Sequence, residues 1–229
     1  MNGKVLIVGV GMGLSASIAR LCHKEGMQIA LASRKVNKLS SLSKETEAKV
    51  FQCDASDPDQ VKTLFENLDT EMGTPDLVVY NPSARVRGFI TELDPLLVQE
   101  AINITSYGAF LVAQQAASRM LKKGSGSILF TGASASIKGF ASSSVFAMGK
   151  FGLRGLAQSL ARELHPKNIH IGHFIIDGGI AQSSLHGKVA NNDAMLDPDS
   201  IAKTYLEFHK QHRSSWSWEI ELRPWVENF

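Results

Sequence analysis

The sequence is 229 residues long and 44% apolar, with a formal charge of +2 from 24 basic and 22 acidic residues. That is enough chain for one domain with a sizeable core, and too balanced a charge for a broad basic field facing nucleic acid or a membrane surface. No apolar run reaches the roughly 18 residues of a membrane-spanning helix, and MNGKVLIVGVGMG is too glycine-rich for a secretory leader. Cys22 and Cys53 lack C-x-x-C spacing, so reduced, buried thiols in a cytoplasmic protein without a metal site are expected.

Residues 4–9 (KVLIVG) predict a first strand that runs straight into Gly9-Val10-Gly11-Met12-Gly13-Leu14-Ser15, after which Ile18, Ala19 and Leu21 carry a helix pattern. A strand, a glycine turn and a helix N-terminus together offer backbone N–H groups and a helix dipole to a phosphate. Any tight connection favours glycine; the position at the first strand of a β–α alternation is what points to a dinucleotide. Residues 28–33 predict the second strand, ending at Ser33-Arg34-Lys35. An NAD-preferring protein offers a carboxylate to the ribose hydroxyls there, whereas the planar fork of Arg34 suits a 2′-phosphate, so NADP is expected over NAD.

Residues 49–54 and 76–81 predict two more strands, followed by Asp54-Ala55 and by Asn81-Pro82-Ser83. A long helix is predicted from about 93 to 122, with Ile102, Ala109, Leu111, Val112, Ala116 and Met120 apolar. Strands at 127–132 and 170–176 enclose the amphipathic stretch SSVFAMGKFGLRGLAQSLAREL, and Asp177-Gly178-Gly179-Ile180 follows. The polar segment 181–196 reads as a mobile lid over substrate. Asp197-Pro198-Asp199 signals a last helix near 200–212, and SWSWEIELRPW alternates like a final strand. Short apolar runs alternating with amphipathic stretches predict right-handed βαβ units. The expected fold is therefore α/β, a Rossmann-type doubly wound parallel sheet in three layers, one domain over 1–229.

From Lys4 to about Ile180 the chain resembles the short-chain dehydrogenase/reductase family. Its T-G-x-x-x-G-x-G turn is read here as Val8-Gly9 through Gly13-Leu14-Ser15, with Val8 and Ser15 departing from the pattern. Two readings of Ser15 stay open: it crowds the pyrophosphate, or its hydroxyl adds a phosphate hydrogen bond. The resemblance implies that Asp54 holds the adenine ring, that Asn81-Pro82-Ser83-Ala84 stands for the family's N-A-G turn, and that Asp177 to Ile180 lies against the nicotinamide carboxamide. It also implies that Asn103 positions a catalytic lysine through water.

In that family a tyrosine moves the proton, a lysine one helical turn later lowers its pKa and binds the nicotinamide ribose, and a serine orients the substrate oxygen. Lys150 fits the lysine, and Phe146 stands where the tyrosine would be. Counting back by the family's usual interval reaches Ala133, with Ser134 beside it. Tyr80, Tyr107 and Tyr205 do not restore the motif in any register. The implied activity is hydride transfer between NADP and a small carbonyl or alcohol substrate, with an altered proton donor drawn from Ser134, Ser142, Ser143, Ser144 or water. A silent NADP-binding sensor or assembly protein, and a non-redox lyase or isomerase, are the alternatives. The resemblance further implies a homodimer or homotetramer, for which Ala109, Val112, Ala116, Phe151, Leu153, Leu156 and Leu160 offer the apolar helix faces.

Overall fold

The computed structural model describes residues 3–183 and 193–227. The middle of the expected lid, 184–192, lies outside the described residues. Strands β1 (Lys4–Val8), β2 (Gln28–Ser33), β3 (Lys49–Gln52), β4 (Leu77–Tyr80), β5 (Gly126–Thr131), β6 (Ile169–Ile176) and β9 (Glu219–Leu222) form one parallel sheet. Their order is β3-β2-β1-β4-β5-β6-β9, the doubly wound arrangement expected, with its switch point between β1 and β4. Two short strands, β7 (Gly179–Ile180) and β8 (Met195–Leu196), pair separately.

The strands read as unbroken apolar runs because both faces are covered. In β1, Leu6 and Val8 pack with Phe65, Val112 and Leu153 beneath helices α3 (Pro58–Glu71), α5 (Gly108–Lys123) and α6 (Ser144–Leu164). Val5 and Ile7 pack on the other face with Ile18 and Tyr205 from α1 (Leu14–Lys24) and α7 (Pro198–His209). Full burial of each such side chain stabilises by about 1.5–3 kcal/mol, which fixes the strand register.

Three helices share one start signal: Asp57, Asp94 and Asp197 cap α3, α4 (Pro95–Ile102) and α7 through their side chains, each followed by proline at the first helical position. The predicted long helix is present from Pro95 to Lys123 but is interrupted by a π turn at Asn103–Tyr107. By length and composition that run could cross a bilayer; here Ala109, Val112, Ala116 and Met120 are buried against the sheet, so its apolarity has a core explanation.

Two elements differ from the sequence reading. A 3-10 turn at Val36–Leu39 and helix α2 (Ser40–Thr46) follow β2 in a serine-rich stretch of weak helix propensity, because Leu39 and Leu42 are drawn into the core. The tail forms a strand only at Glu219–Leu222. Before it, the Trp216 indole N–H donates to the Gln211 carbonyl at 3.0 Å and its ring stacks on His170 at 4.4 Å, so side-chain packing displaces the ladder there.

Candidate active site

The strand ends that point toward α1 gather most of the residues singled out in the sequence. Gly9 has φ +80°, and a Cβ there would come within 2.7 Å of the Pro82 ring, so only glycine lets the turn pass the β4 loop. At Gly11 and Gly13 a Cβ would meet nothing within 4 Å. Both border a cleft of about 490 Å³ shared with Gly9, Met12, Leu14, Ser15, Asn81 and Ile180. Unlike α3, α4 and α7, helix α1 starts without a side-chain cap, which leaves the end of its dipole open to an anion.

A second cleft, about 300 Å³, shares Gly9 and Asn81 with the first and continues along Ser33, Arg34, Asp54, Ala55, Pro82 and Ser83. The exposed Arg34 stands at its rim. Asp54 is shaped for this place by its own turn: one carboxylate oxygen accepts from the Ser56 N–H at 3.0 Å and hydroxyl at 2.7 Å. A larger cleft of about 550 Å³ lies around His23, Gln28, Lys49 and Glu71 at the N-terminal ends of β2 and β3, away from the glycine turn.

Ser15 has two hydrogen-bond partners within the chain. The buried hydroxyl donates to the Gly9 carbonyl at 3.3 Å and accepts from the Asn81 amide at 2.7 Å. It stitches the glycine turn to the β4 loop.

The catalytic candidates meet on α6 and around the π turn. Lys150 is 2% exposed, and its ammonium donates to the Thr131 carbonyl at 2.6 Å. Burial, aided by the positive charge of Arg85, pulls its pKa down to about 7. Phe146 lies one turn earlier on α6, with its ring centroid 5.8 Å from the Lys150 ammonium. Gly149, between them, packs so closely on Thr105 that a Cβ would sit 2.9 Å from the Thr105 Cβ, which holds α6 against the π turn carrying Asn103. Among the described residues, the Asn103 side chain and the Ser134 hydroxyl make no hydrogen bond. Ser134 is half-buried at the start of a 3-10 turn, Ser134–Ser136.

Sequence reading missed Arg85. Its guanidinium carbon lies 4.2 Å from the centroid of the Phe146 ring. The loop that carries it is held at both ends: the Ala84 N–H donates to the Thr105 hydroxyl at 3.2 Å, and the Gly88 N–H donates to the Ser142 carbonyl at 3.2 Å. The pair is separated by some sixty positions in the chain, and no spacing rule connects a loop arginine to a helix phenylalanine.

Structural contacts occupy part of the loop after β6 and one face of the long helices. The Asp177 carboxylate is buried between Lys138 and Arg223, each 3.5 Å away, and its N–H donates to the Leu222 carbonyl, so it fastens the end of β6 to the tail. Gly178 has φ +149° and would strike Pro224 with a Cβ, and neither it nor Gly179 borders the two clefts. Ala109, Val112, Ala116 and Leu153 are core residues and cannot form a subunit contact; the exposed apolar residues on the π turn, α5 and α6 include Tyr107, Phe110, Leu121, Met148 and Phe151.

The tail tryptophans lie apart from Phe146. Trp216 and Trp218 border a cleft with His165 and Arg162, and Trp225 is 83% exposed.

The family described as short chain dehydrogenase matches residues 3–193. An uncharacterized oxidoreductase of Staphylococcus aureus strain N315 is 26% identical over 98% of both chains. A short-chain dehydrogenase from Rhodopseudomonas palustris superposes with a TM-score of 0.86 at 31% identity, covering 98% of this chain and 100% of that one. An alcohol dehydrogenase from Thermococcus sibiricus, solved with 5-hydroxy-NADP, shares the fold at a TM-score of 0.84 and 21% identity, covering 98% of both chains.

Proposed function

This chain belongs to the short-chain dehydrogenase family, and from that membership we propose that it is an NADP(H)-dependent oxidoreductase acting on a small carbonyl or alcohol substrate with an altered proton donor. The observation that carries the reading is the uncapped start of α1, where Gly11 and Gly13 open into a cleft that continues to Arg34. In this reading the α1 N-terminus takes the pyrophosphate and Arg34 the 2′-phosphate. Asp54 and Ala55 border the adenine, Asn81 to Ser83 the adjoining ribose, and Lys150 binds the nicotinamide ribose.

Bound NADPH supplies the hydride that converts the carbonyl carbon to an alcohol carbon. The carbonyl oxygen must also gain a proton, and Phe146 has none to give. We assign that proton to Lys150, whose burial sets it near neutrality, with Asn103 and the Ser134 hydroxyl holding water and substrate oxygen in line. The reading extends to a cytoplasmic homodimer or homotetramer that contacts through Tyr107, Phe110, Met148 and Phe151, and to no nucleic-acid or membrane partner. Two free cysteine thiols, Cys22 and Cys53, each pushed up to about 12 by burial, suit a reducing compartment.

The test is spectrophotometric and calorimetric. NADPH should bind more tightly than NADH, and its absorbance band should fall when a panel of aldehydes, ketones and oxo acids is added. Tight NADPH binding with no turnover over the whole panel would leave only a cofactor-binding protein, and no binding of either nucleotide would overturn the reading.

A further inference from the structure

Two cations, Arg85 and Lys150, sit beside the Phe146 ring. The Arg85 guanidinium carbon lies 4.2 Å and the Lys150 ammonium 5.8 Å from the centroid of that ring, and burial, with the charge of Arg87, pushes the Arg85 pKa down. Among the described residues no carboxylate pairs with Arg85, Arg87 or Lys150. Surface arginines are usually free to turn away from one another. Here the anchors at Ala84 and Gly88 fix the loop on both sides of Arg85, and the aromatic face covers one side of the guanidinium. A guanidinium whose face rests on a ring can still offer N–H donors at its edge, the geometry that meets a carboxylate with two parallel hydrogen bonds.

We propose that Arg85, held over Phe146 by its doubly anchored loop, binds a carboxylate of the substrate, so that the site takes an oxo-acid anion in preference to a neutral aldehyde or ketone. The proposal rests on the oxidoreductase reading above and gives its substrate class. It also gives Phe146 a use: the ring is the platform that orients the arginine, where a phenol would have served the reacting oxygen. A 2-oxo or 3-oxo acid would combine such a carboxylate with the carbonyl that the proposed reaction reduces. Arg85 and Arg87 repel one another in the free protein, and a bound carboxylate relieves that repulsion, so affinity should fall as ionic strength rises.

The probe is oxamate, an unreactive mimic of a 2-oxo acid anion, titrated calorimetrically into the free and the NADP-loaded protein. The expected result is saturable binding that weakens with salt and is lost by about tenfold or more in Arg85→Gln, with NADPH affinity retained. Arg85→Lys should recover little, since a point charge cannot reproduce the fork. A matched panel of 2-oxo acids and their amides, reduced with NADPH, should favour the acids by a similar factor in the natural protein and not in Arg85→Gln.

Equal oxamate binding by the natural protein and Arg85→Gln would overturn the proposal. So would equal turnover of acids and amides, or inorganic phosphate displacing oxamate at far lower concentration than acetate does. Oxamate binding that depends on Arg85 without turnover of any carbonyl would uphold the anion site and sink the redox reading. Turnover of neutral ketones with no Arg85-dependent oxamate binding would do the reverse. Circular dichroism of Arg85→Gln checks the fold, which this exposed loop position should leave intact.

Discussion

The Tyr80 hydroxyl donates to the Ile104 carbonyl at 2.5 Å, and this bond accounts for the π turn beside the active site. In an uninterrupted helix the Gly108 N–H would take that carbonyl; here it donates to the Asn103 carbonyl instead, one position further back, and Ile104 is left without its helical partner. Tyr80 is fully buried, and burial raises its pKa, so it stays a donor. Gly108 is required at the same spot, because a Cβ would sit 2.5 Å from that hydroxyl. Tyr80→Phe should therefore leave a carbonyl unsatisfied and lower stability by about 1–3 kcal/mol in denaturant titration. It should also reduce turnover through the displaced Asn103. Unchanged stability would mean that water replaces the hydroxyl.

Phe146→Tyr tests whether the site lacks only an acid. Restoring a phenol one turn before Lys150 should raise kcat/KM for reduction of neutral ketones by about 10²-fold or more, the range of general acid catalysis. An unchanged or lower kcat/KM would indicate that the pocket is built around the Arg85 stack, and the oxo acids should then lose efficiency in this variant.

The Lys150 pKa near 7 gives two opposed pH effects. Reduction that uses its proton should fall as pH rises above about 7, seen as a descending limb in the kcat/KM profile that Lys150→Met abolishes. Stability runs the other way: between 7 and the ordinary lysine value of 10.5 the unfolded chain binds more protons than the folded one, so stability increases with pH across that window. At neutral pH, Lys150→Met should consequently be at least as stable as the natural protein in thermal melts while binding NADPH about tenfold or more weakly.

Arg34 should decide between the nucleotides. Arg34→Ala should weaken NADPH by about ten- to a hundredfold, the loss of a charged hydrogen-bonded contact, and leave NADH nearly unaffected. Equal losses for both nucleotides in fluorescence titration would show that the arginine does not touch the 2′-phosphate.

Acid should destabilise the fold through two buried histidines on β6. Burial pulls His170 and His173 down to about 4, against the attraction of Glu219 for His173 at 3.0 Å. Their folded values lie below the unfolded value of 6.5, so the folded form is favoured fully above about pH 6.5 and loses ground as pH falls toward 4. Melting temperatures measured from pH 7 to pH 4.5 should fall along this window, and His173→Asn should flatten the slope.

The sheet was readable in the chain because strands covered on both faces must be apolar throughout, and KVLIVG, DLVVYN and HIGHFII can be little else. The Asp197-Pro198 start and the glycine turn are likewise local chemistry: a cap, a fixed φ and a close approach each need a particular residue within a few positions. Phe146 and Lys150 were fixed as neighbours by the helix period. What the sequence could not contain were relationships whose partners meet only after the sheet is assembled. Ser15 turns inward because Asn81 arrives from β4, and the Asp177 carboxylate is enclosed because Lys138 and Arg223 converge on it. The helix face that looked like a subunit contact is claimed by the core, and the π turn exists because Tyr80 reaches it. Arg85 stands over Phe146 because Thr105 and Ser142 hold its loop there. Periodicity and spacing act over a few residues, whereas these contacts join strand ends and loops far apart in the chain, and only packing sets their distances.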